Sequence, residues 1–181
     1  MPTSLSIEEI VLDYDPDELT RWKSGDKSLA PAFMARPDIW LTQPKYHFGE
    51  AFVLRHYHRK EGWFGFADYA IGPQYPKSER RRVGREELER RVPAPKLAAL
   101  RALRAADPRH RLGSGEPDLF LYHPDGRLMF LEVKKQGDRT SAAQLECLGQ
   151  ISATIVCTVG VVYLTPVGHH RAPRSYDVPI P

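Results

Sequence analysis

Asp118, Glu132 and Lys134 are spaced so that they could jointly hold a divalent cation beside an ammonium group. They belong to Glu116-Pro117-Asp118 and Glu132-Val133-Lys134, which flank two apolar runs, Leu119–Leu121 and Leu128–Leu131. The break between the runs is His123-Pro124-Asp125-Gly126-Arg127, where proline pre-sets a turn and glycine supplies the positive φ that closes it. A hairpin loop of this length is usually a type I turn followed by a left-handed residue. With His123 facing Arg127, Tyr122 meets Leu128, Phe120 meets Phe130, and Asp118 lands opposite Glu132. Lys134 follows two residues on, on the same face of its strand.

That register is costly for the two carboxylates. Opposed side chains on paired strands have Cβ atoms roughly 4.5–5.5 Å apart, and like charges there repel. One lysine offsets part of the cost, and a divalent ion with oxygen ligands resolves it. Singly, these residues have blander readings: Glu-x-Lys is common on solvated strand faces, and Pro-Asp is more often a turn than a ligand. The combination on two paired strands favours a metal site.

The run GEPDLFLYHPDGRLMFLEVKKQGDRTSAAQLECL, residues 115–148, resembles the PD-(D/E)xK nuclease core and, within it, the VRR-NUC branch. The elements that carry the resemblance are Gly115, Pro117, Asp118 and Leu119, then Glu132, Val133 and Lys134. Gly137 and Asp138 follow in a loop, and Gln144 lies on the next helix. Lys135-Gln136 departs from the Gly-Pro of many members without removing a ligand. The resemblance implies a restriction-endonuclease-like α/β fold, an αβββαβ core whose mixed central sheet is flanked by helices. It further implies that Asp118, Glu132 and the Val133 carbonyl hold Mg²⁺ or Mn²⁺, a hard oxygen set that argues against zinc. Lys134 would orient or deprotonate the attacking water, and Gln144 would position that water or a phosphate oxygen. Glu50 would supply a further carboxylate, able to hold a second metal, because related nucleases often have a glutamate on the first core helix.

The rest of the chain must position these groups. Residues 1–46 read as an N-terminal extension with one short helix capped by Asp15, with Glu18 three residues on in a capping-box pattern. Trp22 and Trp40 pack this extension onto the core. A helix from about Phe48 to Arg59 has Glu50, Val53, Leu54 and Tyr57 in an i, i+3, i+4, i+7 stripe, which puts Glu50 on the apolar face. The bland alternative for it is a rim glutamate beside His47 or Arg55. Trp63 to Ile71 reads as an aromatic strand, and 72–111 as a basic helical insertion, irregular to residue 94 and helical from Pro95 to Ala106. The hairpin follows at 117–134, then a helix from about Ser141. VGVVYLT is continuously apolar, as for a buried central strand. The nuclease domain thus spans 47–166, with an irregular tail at 167–181.

Composition and charge bound the function. The chain has 181 residues, 41% hydrophobic and 27% charged, enough for one domain with an ordinary core. No apolar stretch approaches the ~20 residues that span a membrane. The acidic N-terminus lacks a Sec-type leader, so a cytoplasmic protein is expected, or one carried into a target cell by a contact-dependent system. Cys147 and Cys157 have no zinc-ligand spacing and are assigned no chemistry. Lys77 to Arg111 contains twelve Lys/Arg against five Asp/Glu, while the remainder has fourteen against eighteen. A basic segment of this kind suits phosphate contacts. Arg80, Arg81 and Arg82 are the best candidates, joined by Arg85 and by Lys135 beside the site. For 85–91 a solvated, salt-bridged helix explains the charges equally well.

The expectation is a divalent-metal-dependent DNA endonuclease that hydrolyses phosphodiester bonds. For its role, the first reading is an antibacterial DNase toxin delivered by type VI secretion and neutralised by an immunity protein, favoured by the extra acidic N-terminal segment. The alternative is a structure-selective repair or Holliday-junction-resolving nuclease, which as a resolvase would be a homodimer. A non-catalytic nucleic-acid-binding module is the third reading.

Overall fold

A computed structural model describes residues 4–34, 45–72, 78–106 and 115–180. Trp40 and Lys77, singled out from the sequence, lie outside the described residues. The hairpin forms in the expected register: β3 (Leu119–Tyr122) and β4 (Leu128–Lys135) pair antiparallel, with Phe120 against Phe130 and Tyr122 against Leu128. His123 and Arg127 close the turn through a 2.9 Å main-chain hydrogen bond. β2 (Phe64–Phe66) pairs antiparallel with β3 on its outer side. β5 (Thr158–Pro166) runs parallel to β4, reached through a helix, α5 (Ala142–Thr154).

Two strands lie where the sequence suggested an extension and an irregular tail. β1 (Ser4–Tyr14) pairs parallel with β5, and β6 (Ser175–Pro179) pairs antiparallel with β1. Among the described residues the sheet therefore has six strands, ordered β2-β3-β4-β5-β1-β6. β1 was hidden because Glu9 occupies one of its inward positions and breaks the apolar alternation. That carboxylate is satisfied by the Arg171 guanidinium at 3.0 Å, the Arg174 N–H at 3.2 Å and the Tyr176 hydroxyl at 2.5 Å. Burial alone would raise its pKa, but these donors hold it below the usual value. The same hydrogen bonds fasten the C-terminal segment to the sheet.

Helices cover both faces. Leu119, Leu121, Met129, Leu131, Val162 and Leu164 pack against α1 (Pro16–Lys23) and α2 (Phe48–Glu61). Phe120, Phe130 and Val161 pack against α3 (Glu79–Arg91), α4 (Ala94–Ala106) and α5. The side-chain alternation along each strand divides the two cores. The elements from α2 to β5 reproduce the expected αβββαβ order, with α3 and α4 as the helical insertion.

Asp15 caps α1 through the Asp17 N–H at 2.9 Å. Glu18 does not close a capping box; it accepts from Arg55 at 2.7 Å and ties α1 to α2. Trp22 is fully buried between these elements, as expected. Two other expectations are corrected. β2 ends at Phe66 rather than Ile71, and 79–91 is helical rather than irregular. The two corrections share a cause, because residues past Phe66 leave the sheet and their carbonyls need other donors. Arginines of α3 and α4 supply them: Arg81 to Tyr69 O at 3.1 Å, Arg85 to Gly72 O at 3.0 Å, and Arg101 to Ile71 O at 2.8 Å.

Candidate active site

Gly115 has φ +77°, and a Cβ there would lie 2.5 Å from the Ala143 carbonyl oxygen. Only glycine lets the chain turn this closely against the first turn of α5. The buried Tyr69 hydroxyl then donates to Pro117 O at 2.7 Å, and Glu116 Oε1 accepts from Gly72 N–H at 2.9 Å and Ile71 N–H at 3.2 Å. Asp118 is thereby held at the start of β3, and its Oδ2 accepts from the Val133 N–H at 2.8 Å. Glu116 and Tyr69 were not read as site residues, and neither carries a local sequence signal for this role.

On β4, Glu132 is almost completely buried, at 1% exposure. Its Oε1 accepts from Lys134 Nζ at 2.6 Å and from Gln144 Nε2. Gln144 is fixed in turn by a reciprocal capping box on α5. Its Oε1 accepts from Ser141 N–H at 2.9 Å, and Ser141 Oγ accepts from Gln144 N–H at 3.3 Å. Gln144, expected from the sequence to position water or a phosphate oxygen, here reaches Glu132 itself. Ser141-x-x-Gln144 is a capping-box pattern legible in the sequence.

The other oxygen, Glu132 Oε2, is buried with no hydrogen-bond partner. A buried carboxylate oxygen left so is costly. Burial, and then the neighbouring Asp118 charge, push the Glu132 carboxyl up to about 8. Burial likewise raises Asp118, against the Val133 N–H that lowers it, and the Glu50 charge adds to the rise. Two buried carboxyl groups side by side, with Glu132 raised by the Asp118 charge and keeping an oxygen that no N–H reaches, fit a hard divalent cation. Among the described residues no three His, Cys, Asp or Glu side chains form a group that could hold an ion. Asp118 and Glu132 are the two carboxyl groups that the hairpin brings together.

Glu50 stands on the first turn of α2, with Oε1 2.9 Å from His47 Nδ1. The rim reading and the functional one meet here, because Glu50 also lines a cleft of about 390 Å³ with Asp118, Val133 and Lys134. Gly49 permits this approach; a Cβ there would meet Val133 Cγ1 at 3.0 Å. Lys23, Lys45 and Tyr46 line the same cleft and sequence reasoning missed them; His47, read there only as a neighbour of Glu50, lines it too. Lys135 is exposed at its edge, with its N–H on Asp138 Oδ2 at 3.1 Å.

The insertion arginines divide. Arg85 is buried, engaged by Glu89 at 2.9 Å and by Gly72 O, so the salt-bridged reading replaces phosphate contact for it. Arg81 reaches Tyr69 O and lies 3.7 Å from Glu116 Oε2. Arg80 pairs with Asp68 at 3.4 Å and Arg82 with Glu79, both through partly exposed side chains. Burial pushes the Cys147 and Cys157 thiols up to about 12. Among the described residues no helix is long and apolar enough to cross a membrane.

The VRR-NUC domain model matches residues 58–163. No curated protein matches the chain. Solved structures similar to it include two of paFAN1. The crystal structure of paFAN1 bound to 1nt 5′ flap DNA with gap is 28% identical, covers 73% of this chain and 22% of its own, and has a TM-score of 0.41. That of paFAN1 bound to 2nt 5′ flap DNA with gap is 19% identical, covers 95% and 39%, and has a TM-score of 0.47. The chain thus spans well under half the length of either.

Proposed function

This chain belongs to the VRR-NUC family of nuclease domains, and on that premise we propose that it is a divalent-metal-dependent endonuclease hydrolysing the phosphodiester bonds of DNA. The observation that carries the reading is the pairing of Asp118 with Glu132 at the end of the hairpin, with Glu132 Oε2 buried and without a hydrogen-bond partner. Bound Mg²⁺ or Mn²⁺ supplies Lewis acidity at a phosphoryl oxygen. Asp118 and Glu132 would hold the ion, with the Val133 carbonyl as a further oxygen. Lys134, mostly buried and 2.6 Å from Glu132, keeps its ammonium where it orients the attacking water and meets charge growing on the phosphoryl group. Gln144 holds Glu132 in one rotamer. Glu50, across the cleft, is the carboxylate that would serve a second ion.

DNA binding falls to the partly exposed Arg80 and Arg82 and the exposed Lys135, with Arg81 partly committed to Glu116. Ser4–Tyr14 is an inner strand of the sheet rather than an appendage. This withdraws one of the features that favoured a delivered toxin over a structure-selective nuclease. The activity is tested by incubating wild type and Asp118→Asn with linear, supercoiled, flapped and four-way DNA in Mg²⁺, Mn²⁺ or EDTA. Cleavage by the wild type alone, abolished by EDTA, supports the proposal; equal products from both proteins refute it. Toxicity with DNA loss on bacterial expression of the wild type, absent for Asp118→Asn, would restore the effector role.

A further inference from the structure

We propose that the cleft wall formed by Lys23, Lys45 and Tyr46 seats an unpaired nucleotide next to the scissile phosphate, its base stacked on the Tyr46 ring and its phosphate held by the two ammonium groups. The proposal rests on the nuclease reading for the position of the scissile phosphate. The first observation is that Tyr46 is 66% exposed although its backbone is firmly anchored. Its carbonyl accepts from the indole N–H of the fully buried Trp22 at 2.8 Å. Trp22 is itself wedged edge-on against Phe48, with ring centroids 6.2 Å apart, and capped by the Lys27 ammonium 3.9 Å above its ring.

The second observation is the next residue. His47 has φ +66°, the one non-glycine residue with positive φ among the described residues. A non-glycine held there costs on the order of 1 kcal/mol or more and persists where the surroundings impose it. The turn lets a single short segment place Glu50 toward Asp118 while Lys45 and Tyr46 line the outer part of the same cleft. An exposed aromatic ring on an anchored backbone, lining one cleft with two lysines and with Asp118, has the elements of a single-strand platform: a π-face for any base and cations for its backbone.

The charge balance agrees. The lining cations are Lys23, Lys45, Lys134 and Lys135, and the lining carboxylates are Glu50, Asp118 and Asp138. Lys134 is engaged by Glu132, Glu50 faces His47, and Asp138 takes the Lys135 N–H. Asp118 is the carboxylate proposed for the ion. With Lys134 paired to Glu132 and Asp118 given to the ion, the three remaining lysines still outnumber Glu50 and Asp138. The base must be unpaired because a base inside a duplex is already stacked on both faces.

The test measures binding in EDTA, where cleavage plays no part, by anisotropy of a labelled single-stranded oligonucleotide and of its duplex. Tyr46→Leu, which keeps bulk but lacks a π-face, should weaken single-strand binding about fivefold or more and leave duplex binding unchanged. Tyr46→Phe should bind like the wild type. Lys23→Ala with Lys45→Ala should lower the single-strand salt slope by about 0.7, the share of the one phosphate they hold. A 2-aminopurine in the strand should be quenched by the wild type and by Tyr46→Phe, but not by Tyr46→Leu. Unchanged single-strand affinity in Tyr46→Leu, or equal weakening on single strand and duplex, overturns the proposal. A wild type that shows these binding differences yet cleaves no DNA would sink the nuclease reading and leave the nucleotide seat standing.

Discussion

Asp118 Oδ2 accepts a hydrogen bond from the main-chain N–H of Val133, the residue between Glu132 and Lys134. One carboxylate is thereby locked to the strand that carries the other carboxylate and the lysine. The spacing of the three groups depends on sheet geometry rather than on flexible side chains, as a preorganised site requires.

Removing any of the three should therefore stop the reaction without unfolding the chain. Asp118→Asn, Glu132→Gln and Lys134→Ala should each lower single-turnover cleavage at least ~100-fold, with circular dichroism and much of the DNA affinity retained. Wild-type rates in any one of them would remove that residue from the mechanism.

Metal binding should be strongly pH-dependent. Glu132 is raised to about 8 in the folded protein, by burial first and by Asp118 second, and it must lose its proton to bind an ion. Mn²⁺ affinity measured by calorimetry should rise about tenfold per pH unit from 6 toward 8, then level off. Stability of the metal-free protein runs the other way. The folded state retains a proton that the unfolded state gives up near 4.5, so stability falls as pH rises from about 4.5 to about 8 and is flat above. Glu132→Gln should flatten that part of the melting profile.

Ser141 and Gln144 share a capping box, yet only Gln144 touches Glu132. Ser141→Ala should cost about 1 kcal/mol of stability with little effect on Mn²⁺ affinity. Gln144→Ala should lose cap and affinity together. Parallel melts and titrations separate the two, and equal affinity losses would mean that the helix end, not the amide, orients Glu132.

The insertion arginines should split by burial. Arg85→Ala should destabilise the protein by about 1–3 kcal/mol, since it leaves Gly72 O without its donor and Glu89 with Arg101 alone. It should leave the salt slope of DNA binding unchanged. Arg80→Ala with Arg82→Ala should reduce that slope, by about 0.9 for each duplex phosphate no longer neutralised. An unaltered slope would exclude these side chains from the interface.

The sequence alone determined the hairpin, because alternation, a Pro-Asp-Gly turn and a two-residue strand period specify which side chains meet. It likewise determined the order of the core elements and, through the motif, the pairing of Asp118 with Glu132. These are local signals, carried within a few tens of residues. Pairings distant in sequence were decided by the tertiary structure. β1 and β6 join the sheet through partners more than a hundred and fifty residues away, and Glu9 disguises the strand it stabilises. Arginines that looked like phosphate ligands became donors for carbonyls the sheet leaves unpaired. Tyr46 and the lysines of the cleft have no motif at all, since what distinguishes them is a buried tryptophan two dozen residues earlier holding one carbonyl in place.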